Sequence, residues 1–340
     1  MTRFRSALLA TAAAASLLFV GIAPANAATY APEIERIAGA DRYQTAVEIS
    51  QEFAPGVSHV FIATGADFPD ALGAAAVAGA MQSPILLVTR NSVPSSVIAE
   101  IKRLKPGKIV IVGGTGVVGS SVATTLSKLG SVQRIAGSDR YDTNRRLVRA
   151  FFEADGYSAD VAAIATGRDY PDALAASAAA GDMTMPIVLV DGKARSVGTA
   201  TKQLFADSGV TYGVFIVGGT GAVSSSIEKE LATAYPRLHP RLAGVDRYAT
   251  GAAVNEEFFG NIDYSTAYLA VGTGFADALA GGPLAANLDD GSAGPLYLVQ
   301  RDCVPAKVKQ ALLEAQPQRI VLLGGKGVLT DRVAKLQACS

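Results

Sequence analysis

Hydrophobic positions in this chain fall into short unbroken runs. Val60-Phe-Ile-Ala63, Ile85-Leu-Leu-Val88 and Ile109-Val-Ile-Val112 are rich in β-branched side chains. Consecutive apolar positions face both sides of a sheet, so these runs predict strands buried on both faces, as in a parallel sheet. Between the runs the pattern changes. Arg42 to Phe53 sets Val47, Ile49 and Phe53 among polar residues, and Val97, Ile98, Ile101 and Leu104 fall on one face of a helix. Strands alternating with helices predict a parallel α/β sheet with right-handed crossovers.

The pattern is written three times. Arg36-Ile-Ala-Gly-Ala-Asp-Arg-Tyr-Gln-Thr45 returns at Arg134–Thr143 and at Arg241–Thr250, spacings of 98 and 107 residues. A second block follows each copy: Ala63–Leu72, Ala165–Leu174 and Val271–Leu279, the first two containing Pro-Asp-Ala-Leu. A third is Pro84-Ile-Leu-Leu-Val88, Pro186-Ile-Val-Leu-Val190 and Pro295-Leu-Tyr-Leu-Val299. The fourth is an apolar run closed by Gly-Gly-Thr-Gly at 113–116 and 218–221, and by Gly-Gly-Lys-Gly at 324–327. A period near 100 is too long for a solenoid and matches a small domain. Three parallel-sheet α/β lobes are therefore predicted, over 28–133, 134–240 and 241–340. The Arg-Ile-Ala-Gly segment fits either the last strand of one lobe or the first of the next.

The N-terminus has a different character. Arg3 and Arg5 precede the Ala/Leu-rich stretch Ala7 to Ala23, and Ala25-Asn26-Ala27 is a small-x-small cleavage site. This predicts a secretory signal peptide over 1–27; the run is marginal in length for a spanning helix. No Cys follows it for a lipid anchor, and the C-terminus has neither hydrophobic tail nor sorting-type motif. The expected product is secreted, free of the membrane after cleavage, and attached to a cell, if at all, non-covalently.

Composition narrows the function. The chain is 49% hydrophobic and 18% charged, which excludes disorder for its bulk. Lys+Arg and Asp+Glu are each 30, without the basic footprint of a nucleic-acid binder. Loss of Arg3 and Arg5 leaves a slight acidic excess. Two His and two Cys are too few for a zinc cluster in each lobe, and no metal or cofactor is expected. His59 and His239 occupy non-equivalent places, and no Gly-x-Ser-x-Gly, His-Glu-x-x-His or Gly-Lys-Ser/Thr motif occurs. Gly114-x-Gly116-x-x-Gly119 with Asp139 beyond it matches a dinucleotide fingerprint on paper. The third Gly is Ser224 and Thr330 in the other copies, which weakens the match. Plentiful carboxylates leave a paired-carboxylate hydrolase formally open.

The repeated motifs carry the candidate chemistry. In Gly-x-Asp-Arg-Tyr-x-Thr the Gly suits a sharp turn with positive φ. Asp41, Asp139 and Asp246 stand at helix N-cap positions. Arg42, Arg140 and Arg247 follow, and two readings stay open for them. Each pairs with a carboxylate, candidates being Asp70, Asp172 and Asp277, or each faces an anionic ligand suited to a guanidinium fork. Pro69 and Pro171 suit the first position of a helix, with Asp70, Asp172 and Asp277 in its first turn. Cys303 and Cys339 lie in the exported portion, which favours a disulfide. Cys303 follows a strand and Cys339 closes the last helix, so the tail must turn back to bring the Cα atoms within about 7 Å.

Together the four blocks resemble the cell wall-binding repeat 2 family of Gram-positive bacteria, over 34–340. The resemblance implies three Rossmann-like or flavodoxin-like lobes in a triangular arrangement, with the Pro-Ile-Leu-Leu segments (Pro84–Leu87, Pro186–Leu189, Pro295–Leu298) toward the lobe interfaces. It implies a non-catalytic surface protein bound to anionic wall polysaccharide of teichoic-acid type. Arg42, Arg140 and Arg247, supported by Arg36, Arg134 and Arg241, are the candidate polymer contacts. The alternative is a wall-modifying enzyme or an accessory factor of a peptidoglycan amidase.

Overall fold

The computed structural model describes residues 30–153, 159–210, 212–235, 237, 239–286 and 293–340; the expected signal peptide lies outside them. The first repeat gives β1 (Glu33–Ile37), α1 (Arg42–Ser50), β2 (His59–Thr64), α2 (Ala74–Ala80), β3 (Ile85–Val88), α3 (Ser95–Leu104), β4 (Lys108–Val112) and α4 (Ser120–Leu126). The second gives β5 (Val132–Ile135), α5 (Arg140–Val148), β6 (Val161–Thr166), α6 (Pro171–Ala175), α7 (Ser177–Asp182), β7 (Ile187–Val190), α8 (Thr199–Asp207), β8 (Gly213–Ile216) and α9 (Ser225–Ala234). The third gives α10 (Arg247–Phe259), β9 (Thr266–Val271), α11 (Ala276–Ala285), β10 (Leu296–Val299), α12 (Ala306–Ala315), β11 (Arg319–Leu323) and α13 (Asp331–Ala334). The unbroken apolar runs are the strands β2, β3 and β4, whose residues Val60–Ala63, Ile85–Val88 and Ile109–Val112 are all buried. Helices cover both faces of such strands, which is why the runs do not alternate.

Three parallel sheets result among the described residues, ordered β3-β2-β4-β5, β7-β6-β8 and β10-β9-β11-β1. These pairings assign the Arg-Ile-Ala-Gly segment to the preceding lobe. Ile135 lies opposite Val112 in the first sheet, Leu242 bridges Val217 beside β8, and β1 pairs with β11, Ile37 opposite Leu323. The helices that follow, α1, α5 and α10, pack on the next sheets at β3, β7 and β10. The change of lobe therefore falls at Gly39, Gly137 and Gly244, a few residues beyond the expected starts at 134 and 241. β1, from the first repeat, completes the last sheet, so the three lobes close into a ring.

The centre of the ring is made of helices. α2 and α7 follow the equivalent Asp-Ala-Leu segments, α11 contains its own, and the three helices pack against one another. They are rich in Ala and Gly, and small side chains let helix backbones approach closely. Gly79, Gly181 and Ala286 are equivalent positions and meet there. A Cβ on Gly181 would stand 2.7 Å from the Ala286 Cβ and 3.0 Å from the Gly79 Cα, so the hub has room for one methyl group. Each lobe also sends its first helix to its neighbour: α1 to α11, α5 to α2 and α10 to α6. Among the described residues no helix is long and apolar enough to cross a membrane.

Candidate functional site

The Gly-x-Asp-Arg-Tyr-x-Thr block folds the same way three times. Asp41, Asp139 and Asp246 are N-caps whose carboxylates accept the backbone N–H of Gln44, Asp142 and Ala249, each at 2.8 Å. The Thr hydroxyls of Thr45, Thr143 and Thr250 accept the N–H of Gly39, Gly137 and Gly244 at 3.0–3.1 Å. These glycines do not take the expected positive φ. They are needed because the chain crosses the first helical turn so closely that a Cβ would strike it. The Tyr rings of Tyr43, Tyr141 and Tyr248 pack on Gly65, Gly167 and Gly272, where a Cβ would meet Tyr43 Cε1 at 2.5 Å and Tyr141 Cε1 at 2.6 Å.

The arginines of this block stand at the C-terminal ends of the strands, the ligand end of open parallel sheets. Arg42, Arg140 and Arg247 each donate through Nη1 to the carbonyl of Gly65, Gly167 and Gly272 at 2.6, 2.8 and 2.7 Å. Around the pseudo-threefold axis lie three half-buried aromatic rings, Phe68, Tyr170 and Phe275, with centroids 5.2–6.4 Å apart. Arg42 lies 5.8 Å from the Phe275 ring and Arg247 5.6 Å from the Tyr170 ring, each reaching the aromatic of the preceding lobe. Sequence reasoning missed this cluster. Its signal was an aromatic residue two positions before the Asp-Ala-Leu aspartate in every copy.

The aspartates face the same seams. Arg140 acts electrostatically on Asp70, Arg247 on Asp172 and Arg42 on Asp277, so each carboxylate senses the arginine of the following lobe around the ring. Burial outweighs that attraction. It raises Asp70 above the usual carboxylate value and pushes Asp172 and Asp277 up to about 6. No ion pair within 4.0 Å joins these partners among the described residues; Arg247 instead meets Asp169 at 3.6 Å. Asp172 and Asp277 lie in the first turns of α6 and α11, and Pro171 opens α6 as expected. In the first lobe residues 69–73 form turns and the helix starts at Ala74, so Pro69 opens a turn. A cleft of about 230 Å³ marks the seam between the second and third lobes, lined by Asp169, Asp172, Asp246, Arg247 and Gly219.

Arg36, Arg134 and Arg241 serve a different turn. Each donates at 2.7 Å to the carbonyl of the first Gly of Gly-Gly-Thr/Lys-Gly, at Gly324, Gly113 and Gly218. Those three glycines have φ of +105° to +114°, a conformation other residues rarely adopt. Burial pulls the guanidinium groups of Arg36 and Arg134 below their ordinary value, and Arg241 is also paired with Glu228 at 2.9 Å. Asp139, the acidic member of the paper dinucleotide fingerprint, is spent on capping α5. His59 contacts Ser58 and the edge of Phe151, whereas His239 stacks on Phe215 at 4.0 Å. Cys303 and Cys339 are joined, with Cα atoms 4.9 Å apart. The tail turns back after α13 through Leu336, at φ +49°, and Ala338 bridges Val304.

Three pseudo-equivalent lobes around one helical hub, with the same arginine, aromatic and aspartate at each seam, define a ring-closed tandem-repeat α/β protein. The chain belongs to the cell wall binding domain 2 (CWB2) family, whose model matches residues 36–123, 134–228 and 241–334, one stretch per repeat. It is therefore a member of a wall-binding family. It is 32% identical over 302 residues to the N-acetylmuramoyl-L-alanine amidase LytC of Bacillus subtilis (strain 168), covering 88% of this chain and 57% of that protein. It is 27% identical over 275 residues to the amidase enhancer of the same organism, covering 81% of this chain and 36% of that protein. Cwp6 from Clostridium difficile shares the fold with a TM-score of 0.80 and 29% identity, over 90% of this chain and 48% of that one. This chain thus spans about half or less of each of these longer relatives.

Proposed function

We propose that this chain is a non-catalytic module held non-covalently on the cell wall by an anionic wall polysaccharide of teichoic-acid type. The observation that carries this reading is the threefold seam. Arg42, Arg140 and Arg247 each tie one guanidinium nitrogen to a glycine carbonyl. A guanidinium has five N–H donors, so Arg42 and Arg140 keep most of theirs for a phosphate or carboxylate, whereas Arg247 also donates to Tyr170 Oη at 3.3 Å and meets Asp169 at 3.6 Å. The neighbouring aspartates accept hydrogen bonds from sugar hydroxyls. Arg36, Arg134 and Arg241 support the site indirectly by holding the Gly-Gly turn beside it. Weak sites repeated along one polymer raise overall avidity by roughly 10²–10⁴ when geometry permits. Co-sedimentation with purified walls, intact or stripped of anionic polymer, tests the reading. Retention is expected on intact walls, to fall with salt because exposed charge contacts are screened, and to be lost on stripped walls. Equal retention on both would overturn it.

A second reading has a specific support in the amidase LytC and the amidase enhancer, matched over most of this chain: an accessory role beside a peptidoglycan amidase. Added to a wall-hydrolysis assay, the chain then accelerates release of soluble fragments by an amidase. An unchanged rate removes this reading.

A further inference from the structure

The three lobes differ where their first and third helices meet. Two positions face each other across this seam: Gln51, Arg149 and Glu256 after the first helix's Arg-Tyr, and Arg103, Asp207 and Glu314 on the third helix. In lobe 1, Arg103 donates to the Ser50 and Phe53 carbonyls, each at 3.0 Å, and to the buried Glu100 carboxylate at 2.6 and 2.9 Å. Glu100 also accepts the Ser50 hydroxyl at 2.6 Å. The arginine is a cation at the C-terminal end of α1, where the helix dipole favours one. In lobe 2, Arg149 and Asp207 form an ion pair at 2.8 Å. In lobe 3 the same two positions are both glutamates, Ala311 stands in place of Glu100, and Asn255 in place of Ser50. The last turn of α10 holds no basic residue.

What lobe 3 has instead is space. Two cavities of about 440 and 360 Å³ lie between α10 and α12, and Glu256, Ala311 and Glu314 line both. The first is floored by Ala249, Ala252 and Ala253. Lobes 1 and 2 fill the equivalent surface with polar pairs, Gln44 on Glu48 and Asp142 on Arg145 and Arg146. The second is lined by Asn255, Tyr264 and Tyr297. Asn255 is 1% exposed, its Nδ2 donates to the Leu296 carbonyl at 3.0 Å, and its Oδ1 has no hydrogen-bond partner. A buried acceptor without a donor is destabilised. The basic side chain on the lining, Lys307, lies at the opposite end of α12 from Glu314.

We propose that this double cavity in lobe 3 binds an organic cation, an ammonium or guanidinium group on a short aliphatic stem. The charge sits by Glu256 and Glu314, where the other lobes have their own arginine, and the stem lies along the alanine floor. Among the described residues no set of three or more His, Cys, Asp or Glu is placed to hold a metal ion, and the apolar floor suits carbon. The same chemistry is offered by a free aliphatic amine and by a basic side chain of a larger partner.

The test is an NMR titration of the full exported chain with n-butylguanidinium, n-butylammonium, the neutral isostere N-butylurea, and N-acetyl-arginine methylamide. Saturable shifts at Ala252, Ala311 and the Asn255 side-chain amide are expected with the cations and not with the urea. Equal binding of the blocked arginine assigns the cavity to a side chain of a partner; binding of the small cations alone assigns it to a free amine. Glu314→Arg is expected to abolish the shifts by at least tenfold in affinity. The combination Asn255→Ser, Ala311→Glu and Glu314→Arg, which transplants the lobe 1 network, is expected to abolish them while melting no lower than the parent chain. Wall co-sedimentation of Glu314→Arg is expected to be unchanged, which separates this site from the seams. Absence of saturable shifts with either small cation, equal shifts with the urea, or full binding by Glu314→Arg would overturn the proposal.

Discussion

Asp172 and Asp277 are each pressed against the glycine that opens the Gly-Gly turn of their own lobe, Gly218 and Gly324. Burial raises both carboxylates to about 6 from an ordinary 3.8. The native chain then holds these protons more tightly than the unfolded chain does. Between pH 3.8 and about 6 it binds more protons, so stability falls as pH rises through that window. Asp172→Asn with Asp277→Asn removes the charge and keeps the shape. Thermal melting is expected to rise at pH 7 relative to the parent chain and to match it near pH 4; equal melting at both pH values would remove the buried-carboxylate account. The arginine half of the pairing was legible in sequence only as two open readings. Both terms of the structural one were visible, but the contact made is a guanidinium on a glycine carbonyl, and a backbone acceptor leaves no mark in a sequence.

At the scale of elements, small residues set the distances. The hub of α2, α7 and α11 admits one methyl group, supplied by Ala286. Gly181→Ala adds a second, and overpacking of this kind costs about 1–3 kcal/mol. Denaturant unfolding is expected to show that loss, and Ala286→Gly in the same chain is expected to restore most of it; a neutral Gly181→Ala would contradict the hub packing. The strands, N-caps and helix faces were readable because each rests on local chemistry: Val60–Ala63 by unbroken apolar character, Asp41 by its place before a helix. The ownership of Arg-Ile-Ala-Gly was not, since a strand's lobe is fixed by its ladder partner, which for Ile37 is Leu323 at the far end of the sequence. The helix start at Pro69 failed for a related reason. Pro and Asp favour a first helical turn, but equally a turn, and Pro171 shows the other outcome of nearly the same words.

The three repeats close into a ring, and that closure depends on β1. Deleting residues 30–38 removes the partner of β11 and the Arg36 bond to Gly324, leaving an open sheet edge. The melting temperature is expected to fall by several degrees and light scattering to rise; unchanged melting would show that closure contributes nothing. Closure also fixes where the three seam arginines stand relative to one another, which is what a repeated polymer requires. The central claim is therefore tested on Arg42, Arg140 and Arg247 together. Each replaced singly by Ala is expected to lose one carbonyl bond, of the order of 1–3 kcal/mol for a charged donor, and to weaken wall retention modestly. The decisive measurement is wall co-sedimentation of the triple Ala variant, with its melting temperature recorded on the same preparation. Retention is expected to fall at least tenfold further than in any single variant while the chain remains folded at the assay temperature. A folded triple variant that sediments with walls as the parent chain does would contradict the account.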